Sequence, residues 1–254
     1  MNKLKNYSTL AVLFFLCSCV SKKELLYLQD IQALNNIKVL SSKNSLQEND
    51  ILKINVTSLE IDASIPYNKV SLVNNFGNSL QLLQLNGYLV STNKTINFPV
   101  LGEISVAEKT SQDLEKYLKN LLEVGGYLIN PRVTVRLLNS KVTILGEVRN
   151  PGTFTFTEKN ISLLQALGLA GDLTIDGNRK NIIVIRESNG QRTTTNIDLT
   201  SASWLSSLYQ NIQPNDVIIV NPNTKKVTSA GLVGNISTVL SIASILLSTI
   251  ILIK

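Results

Sequence analysis

The side chains best suited to covalent chemistry in this 254-residue sequence are two cysteines, Cys17 and Cys19. A thiolate is a good nucleophile and metal ligand, but the sequence has no histidine to act as its base or co-ligand. Ser-His-Asp and Cys-His catalysis, and zinc sites of the usual His/Cys kind, are therefore excluded. We predict no metal site and no cofactor.

Carboxylate-only hydrolysis stays open as an enzymatic alternative. The acidic pairs that could perform it are Asp172 with Asp176 and Asp113 with Glu115. Acidic residues in turns and at helix N-termini are far more often solvated or capping residues. We therefore predict no catalytic residue, and cleavage of a glycan by the pure protein would contradict this.

The N-terminus is typical of a secretory signal. Lys3 and Lys5 precede a short apolar run at residues 10–16, which is the expected order of basic and apolar regions. The run is too short to span a bilayer, which takes about 20 apolar residues. The alternative, an ordinary signal that contains two cysteines by chance, stays open.

The residues around Cys19 resemble the lipobox of bacterial lipoproteins. Leu16, Cys17 and Ser18 precede Cys19, and Val20 follows it. The resemblance implies a signal peptide over residues 1–18 and an acyl chain on Cys19. With no aspartate after the cysteine, it also implies sorting to the outer membrane.

The charge of the chain is modestly basic, with 24 Lys and Arg against 18 Asp and Glu and a net charge of +6. The clusters Lys22-Lys23 and Lys225-Lys226 have no interleaved aromatic residues. We therefore predict no binding of nucleic acid.

Hydrophobic periodicity predicts two small α+β units in tandem. Residues 19–44 are expected to form a polar tether with apolar spots at residues 25–28, and residues 60–82 a long loop. One helix begins at Thr110 or Ser111 and ends at Gly125-Gly126, and another spans residues 161–169 with Asn160 as its cap. Strands are predicted at residues 51–56, 96–98, 133–137, 142–148, 182–185 and 217–220.

Residues 231–253 carry no charge and are mostly apolar. As a helix they would reach about 34 Å, enough for the hydrocarbon core of a bilayer. Small and polar residues share one side of this helix, and the serines among them are Ser237, Ser241, Ser244 and Ser248. The helix is either a single anchor whose small residues allow close helix packing, or one of several helices that together form a pore lined by these serines.

Several stretches resemble a known family. Residues 46–54 (LQENDILKI), 87–90 (GYLV), 96–104 (INFPVLGEI) and 130–135 (NPRVTV) are similar to the polysaccharide export domain. Residues 145–154 (LGEVRNPGTF), followed by 163–167 (LLQAL) and 184–187 (VIRE), are similar to an SLBB domain, a β-grasp module. The chain thus resembles the Wza-like outer-membrane polysaccharide export (OPX) lipoproteins of the short Bacteroidetes type.

The resemblance implies a polysaccharide export domain at residues 45–138, one SLBB domain at 139–222 and the membrane helix at 231–253. Three turns depart from the family pattern, where Asn49, Asn93-Lys94 and Asp172 replace the usual glycine-containing sequences. Because asparagine tolerates the left-handed conformation better than other non-glycine residues, we expect the Asn49 turn to survive.

The implied function is a homo-oligomeric ring in the outer membrane. Its domains would face the periplasm, and it would export a capsular polysaccharide or exopolysaccharide. The family pairs such proteins with an inner-membrane polysaccharide co-polymerase or tyrosine-kinase-type partner. The alternative is a lipid-anchored periplasmic module that binds glycan or scaffolds other envelope proteins without its own pore.

Overall fold

The computed structural model describes residues 22–33, 44–69, 80–188, 190–229, 240–245 and 248–249. Two α+β units follow one another along the chain, and each has its own core of buried apolar side chains. The prediction of a tandem α+β fold is confirmed.

The first unit is built on a three-stranded antiparallel sheet of order β2-β1-β5 and a separate β3-β4 hairpin. Strand β1 alternates buried and solvent-facing residues, as a half-buried strand must. The strands are β1 (Ile51–Thr57), β2 (Tyr88–Leu89), β3 (Thr95–Phe98), β4 (Gly102–Ser105) and β5 (Arg132–Leu137).

The long helix of this unit, spanning Ser111–Val124, packs its apolar face onto the sheet. Leu114, Leu118 and Leu122 recur at helical spacing and are completely buried. Thr110 and Asp113 form a reciprocal capping box, so Thr110 is the cap. Tyr117, three residues after Leu114, remains 40% exposed beneath the ammonium group of Lys109.

The second unit contains a five-stranded mixed sheet of order β10-β9-β12-β6-β7. Strands β6 and β12 are parallel, the other neighbours are antiparallel, and a short β8-β11 ladder lies apart. The strands are β6 (Lys141–Gly146), β7 (Gly152–Thr155), β8 (Ile161–Ser162), β9 (Gly177–Ser188), β10 (Gln191–Ile197), β11 (Asn211–Ile212) and β12 (Val217–Pro222).

The short helices complete both units. The α-helices are α1 (Ile61–Ser64), α2 (Leu80–Leu85), α3 (Ser111–Val124), α4 (Leu163–Leu169) and α5 (Thr224–Ser229). Single 3-10 turns occur at Lys22–Glu24, Ile31–Ala33, Ile65–Tyr67, Ser203–Ser206 and Leu208–Gln210.

Two local predictions differ from the structure. Helix α4 is capped by Ser162, not Asn160, because Ser162 and Gln165 form a capping box and Ile161 pairs in the β8-β11 ladder. The expected loop at 60–82 contains α1 and the start of α2, with residues 70–79 outside the described part of the chain. Asparagine and serine mark this region as polar, but they do not prevent short helices.

Within residues 231–253 the structure describes 240–245 and 248–249, which are helical. In the described part of the chain, no helix is both long and apolar enough to cross a bilayer. The prediction of a membrane-spanning helix at 231–253 therefore stays a prediction.

Candidate functional site

The segment expected to be a polar tether lies against the second unit over residues 22–33, which we call the strap. Leu28 N donates to Leu199 O over 2.9 Å, and Gln29 N donates to Thr200 O over 2.8 Å. Tyr27 and Leu28 pack against the core of that unit. The apolar spots at residues 25–28 were the only signal for this docking, and nothing in the sequence indicated its partner.

Asp30 secures the far end of the strap. Its carboxylate accepts hydrogen bonds from Ala202 N, at 2.5 Å, and from the Ser201 hydroxyl, at 2.9 Å. The backbone hydrogen bond from Ala202, followed by that from Ser201, lowers the pKa of Asp30. The ionised form of Asp30 is therefore the one that holds the strap in place.

A loop at residues 171–176, between α4 and β9, also binds the strap. The Tyr27 hydroxyl donates to Asp172 Oδ1 at 2.6 Å, and the guanidinium of Arg179 lies 5.5 Å from the Tyr27 ring centroid. Burial and then the hydrogen bond to Asp172 raise the pKa of Tyr27. The phenol therefore stays protonated and remains a donor at neutral pH.

The same 171–176 loop holds the start of the C-terminal segment. Asn223 N donates to Asp176 O at 2.7 Å, and Asn223 Nδ2 donates to Ile175 O at 3.2 Å. One turn into α5, Lys226 Nζ lies 3.1 Å from Asp176 Oδ2. One loop thus binds both the chain that follows Cys19 and the chain that leads to residues 231–253.

The candidate catalytic carboxylates are all used in structural contacts. Asp172 binds the strap and Asp176 binds α5. Asp113 belongs to the capping box of α3, and Glu115 accepts a hydrogen bond from Val135 N at 2.9 Å. In these contacts each carboxylate holds a chain segment in place.

The predicted site residues lie near or beyond the limits of the described chain. Cys19 and Ser237 are outside it. Ser241, Ser244 and Ser248 lie on exposed helical backbone. The Ser244 hydroxyl donates to Ser241 O at 2.9 Å, and the Ser248 hydroxyl donates to Ser244 O at 2.8 Å. These bonds satisfy the hydroxyl donors within the helix and leave oxygen lone pairs as possible acceptors.

The two units carry the same turn, a feature that sequence analysis missed although the pattern Gln-x-Asn-Asp occurs at 47–50 and 213–216. In the first turn, Gln47 N donates to Asp50 Oδ2 at 2.8 Å and Asn49 has φ of 66°. In the second, Gln213 N donates to Asp216 Oδ2 at 2.8 Å and Asn215 has φ of 68°. Strands β1 and β12 begin directly after these turns.

The two aspartates have different charge environments. Asp216 is buried against Arg186, with 2.7 Å between Arg186 Nη2 and Asp216 Oδ2. Asp50 is only 5% exposed and forms no ion pair in the described chain. Burial raises the pKa of Asp50 to about 6, against the smaller lowering effect of the Gln47 amide.

Both Gln-x-Asn-Asp turns open onto one cleft between the units. The cleft has a volume of about 820 Å³ and is lined by the turns, the N-terminal end of α3, part of β5 and residues 157–160. Between the two units, Asn139 accepts a hydrogen bond from Ile51 N at 2.9 Å and donates to Asn49 O at 2.8 Å. Gln47 Nε2 reaches across the junction to Glu187 O at 3.4 Å.

Comparison with known families divides the chain at this junction. Residues 40–138 match the family of polysaccharide biosynthesis/export proteins. Residues 140–220 match the SLBB domain.

Two curated relatives are similar to part of the chain. The EPS I polysaccharide export outer membrane protein EpsA of Ralstonia nicotianae is 33% identical over 106 residues, which are 40% of this chain and 27% of the relative. The protein of the same name from Ralstonia solanacearum is 32% identical over 104 residues, which are 39% of this chain and 27% of the relative. The aligned region thus spans about a quarter of the length of these relatives.

The domain order and these relatives agree with the resemblance found in the sequence. A polysaccharide export unit, a junction at Asn139 and an SLBB unit follow one another, as the structure shows for the two cores. The chain belongs to the family of polysaccharide export (OPX) proteins.

Proposed function

We propose that the chain is an outer-membrane lipoprotein, acylated at Cys19, that exports polysaccharide from the periplasm to the cell surface. Its family membership supports the export of a polysaccharide. The relatives from Ralstonia are named as polysaccharide export outer membrane proteins, which supports the location and a polysaccharide as cargo. In our proposal this cargo is a capsular polysaccharide or an exopolysaccharide.

The observation that carries the proposed orientation is the convergence of two chain segments on the 171–176 loop. Tyr27, eight residues after Cys19, binds Asp172, and Lys226, just before the apolar segment, binds Asp176. An acyl chain at Cys19 and a membrane helix at 231–253 would then attach one end of the SLBB unit to one membrane. Both folded units would lie on the periplasmic side.

The proposed transport route is a ring of copies of this chain. A pore built from one helix per subunit needs a closed ring, because only helices and closed barrels satisfy the backbone within lipid. In this ring Ser237, Ser241, Ser244 and Ser248 line the lumen. Hydroxyl oxygens there would form weak, exchangeable hydrogen bonds with a hydrated glycan, so the polymer would pass without being held.

The energy for export comes from outside this chain in our proposal. The sequence has no Gly-rich loop of the P-loop spacing that could hold a nucleotide. This energy would come from synthesis of the polymer, or from an inner-membrane co-polymerase or tyrosine-kinase-type partner.

Purified lipidated protein tests the proposal. Stable rings that conduct ions in planar bilayers are expected, whereas a persistent monomer in detergent would refute the channel and favour a lipid-anchored glycan-binding or scaffolding module. Labelling with radioactive palmitate checks the acylation, and Cys19→Ala should abolish the label and lower the amount of protein in the outer-membrane fraction. A deletion strain should lose surface polysaccharide.

A further inference from the structure

The cleft between the two units is a concave surface of the described chain that neither the fold nor the proposed pore uses. Its volume of about 820 Å³ lies within the roughly 300–1,000 Å³ of pockets that enclose small ligands. Such pockets occur preferentially between domains. The cleft is therefore a candidate binding site for a small ligand or for a short stretch of a polymer.

The lining of the cleft is dominated by amide and hydroxyl side chains. Examples from both units are Gln47, Gln112, Thr157, Asn160, Gln213 and Asn215. Each of these groups offers a hydrogen-bond donor and an acceptor. A ligand that matches them must itself carry many hydroxyl groups.

The lining of the cleft has no excess of positive charge. The basic residues of the lining are Lys116, Arg136 and Lys159, and the acidic residues are Asp50, Asp113, Glu115 and Glu158. A polyphosphate or nucleic acid would need an excess of positive charge, which this cleft lacks. An apolar ligand would need a mainly apolar wall, which is also missing from the described lining.

The walls of the cleft are held in place before any ligand binds. The two Gln-x-Asn-Asp turns present Gln47 and Gln213 at matching positions, each with its backbone amide bound to the aspartate three residues later. Asn139 joins the first turn to the chain that enters the second unit. A preformed site loses less conformational entropy on binding than a mobile one.

We propose that this cleft is a carbohydrate-binding site that holds a few sugar residues of a hydrated glycan on its way to the membrane. The proposal rests on the proposed export function and extends it to a contact within the folded units. No aromatic side chain lines the described cleft, so sugar rings cannot stack there and hydrogen bonds carry the binding. The affinity is then weak, with a Kd on the order of 1 mM, as suits a passing polymer.

Saturation-transfer difference NMR of the full chain in detergent, with maltohexaose and cellohexaose as probes, tests the site. Gln112→Trp places a large ring in the cleft from the exposed start of α3. Asn120→Trp adds the same ring to an exposed position of the same helix outside the cleft. We expect the sugar signal to fall at least fivefold in Gln112→Trp and to be unchanged in Asn120→Trp.

Surface polysaccharide in cells is measured for the same two variants. A matching loss of export in Gln112→Trp alone would support the site. Equal sugar signals in both variants, or no signal with the unmodified chain, would overturn it, as would a cleft that electron microscopy shows to be filled by a neighbouring copy. If deletion of the gene stops export but Gln112→Trp does not, the cleft proposal fails and the export function stands. Normal export after deletion would refute the export function itself.

Discussion

At the scale of single residues, the two Gln-x-Asn-Asp turns form an internal comparison. The same backbone turn and the same hydrogen bond hold Asp50 and Asp216, but only Asp216 has a guanidinium beside it. Burying a carboxylate without a cation disfavours its charged form. The ionised Asp50 carboxylate should therefore lower the free energy of unfolding, whereas the ionised Asp216 carboxylate is stabilised by Arg186.

Relative to the unmodified chain, the variant Asp50→Asn should become more stable as the pH rises. The pKa of Asp50 is raised in the folded chain from 3.8 to about 6, so the stability gained from the protonated form is complete below pH 3.8 and is lost as the pH rises through 6. Asparagine keeps the acceptor for Gln47 N and cannot ionise. Relative to the unmodified chain, the free energy of unfolding of Asp50→Asn should rise by about 3 kcal/mol between pH 3.5 and 7.5.

Urea unfolding at a series of pH values measures this difference, and Asp216→Asn is the matched control. It leaves Arg186 buried without its counterion, so it should destabilise the chain at pH 7.5 by about 3–5 kcal/mol. A difference between Asp50→Asn and the unmodified chain that does not change with pH would show that Asp50 titrates normally.

Part of this detail was accessible from the sequence. Asn49 was expected to adopt a left-handed conformation in place of glycine, and its φ of 66° confirms this. Lys94 and Asp172, the other departures from the family pattern, also have positive φ, at 53° and 70°. The pairing of Tyr27 with Asp172 could not be predicted, because it joins residues 145 positions apart through side chains with no pattern of their own.

At the scale of elements, the strap is the segment whose behaviour depends most on a few polar contacts. The Asp30 carboxylate accepts from Ala202 N, and the backbone of the strap adds two hydrogen bonds to residues 199–200. Because the strap is short and partly exposed, it should open locally without global unfolding.

Asp30→Ala should loosen the strap while the core of the second unit stays folded. Ala202 N loses its acceptor, so its amide should exchange with deuterium about tenfold faster, as should the amides of Leu28 and Gln29. Amides in β9 should keep their protection. Glu24→Ala, a change of another exposed acid in the strap, is the control, and equal exchange in both variants would contradict the role of Asp30.

The elements that were predicted well are those with a strong apolar period. In helix α3 and strands β1, β5 and β12, the side chains on the inner face of the apolar pattern are buried. The exceptions, all in the first unit, are Tyr117, which is exposed, and Leu121 and Leu137, which are partly buried. Strand β10 escaped prediction because its sequence QRTTTNI exposes nearly every side chain. It is fixed by pairing with β9 at the edge of the sheet, which the local sequence does not encode.

At the scale of the whole molecule, Asn139 connects the two units through its side chain. Its amide binds Ile51 N and Asn49 O, at the start of the first unit's central strand. Leu138 N and Ile51 O form a further hydrogen bond beside it, at 2.8 Å. These contacts set the direction in which the chain enters the second unit.

Asn139→Ala should weaken the coupling between the units. Losing two hydrogen bonds should lower the free energy of unfolding by about 1–3 kcal/mol. It should also increase the radius of gyration measured by small-angle X-ray scattering as the cleft opens. Asn120→Ala on the exposed face of α3 should change neither quantity, and an unchanged scattering profile for Asn139→Ala would show that other contacts hold the junction.

Replacing Ser241 and Ser244 together with leucine tests the lumen. If these serines line the pore, surface polysaccharide should fall severalfold, because the hydroxyl oxygens that exchange hydrogen bonds with the glycan are replaced by bulky apolar groups. Palmitate labelling and expression should be unchanged. Leu240→Ile on the same helical turn is the control, and full export by the double variant would refute the lumen assignment.

The order of the two domains followed from the sequence, since each has its own motifs. The cleft and the convergence on the 171–176 loop did not, because both depend on how separate segments meet in three dimensions. Residues 157–160 and 213–215 belong to the second unit, and they line the cleft only once that unit has folded. The Gln-x-Asn-Asp repeat is visible in the sequence, but only the structure shows that its two copies form the same turn.

The docking of the strap also has a consequence for the order of events during biogenesis. Ribosomes make the strap before its partners, and Asp172 follows Tyr27 by 145 residues and Ala202 follows Asp30 by 172. In the proposed secretion of the chain, the strap would therefore stay undocked until almost the whole SLBB unit had crossed the inner membrane. During that interval Cys19 would be available to the enzymes that acylate it and cut the signal, and the strap would dock only afterwards.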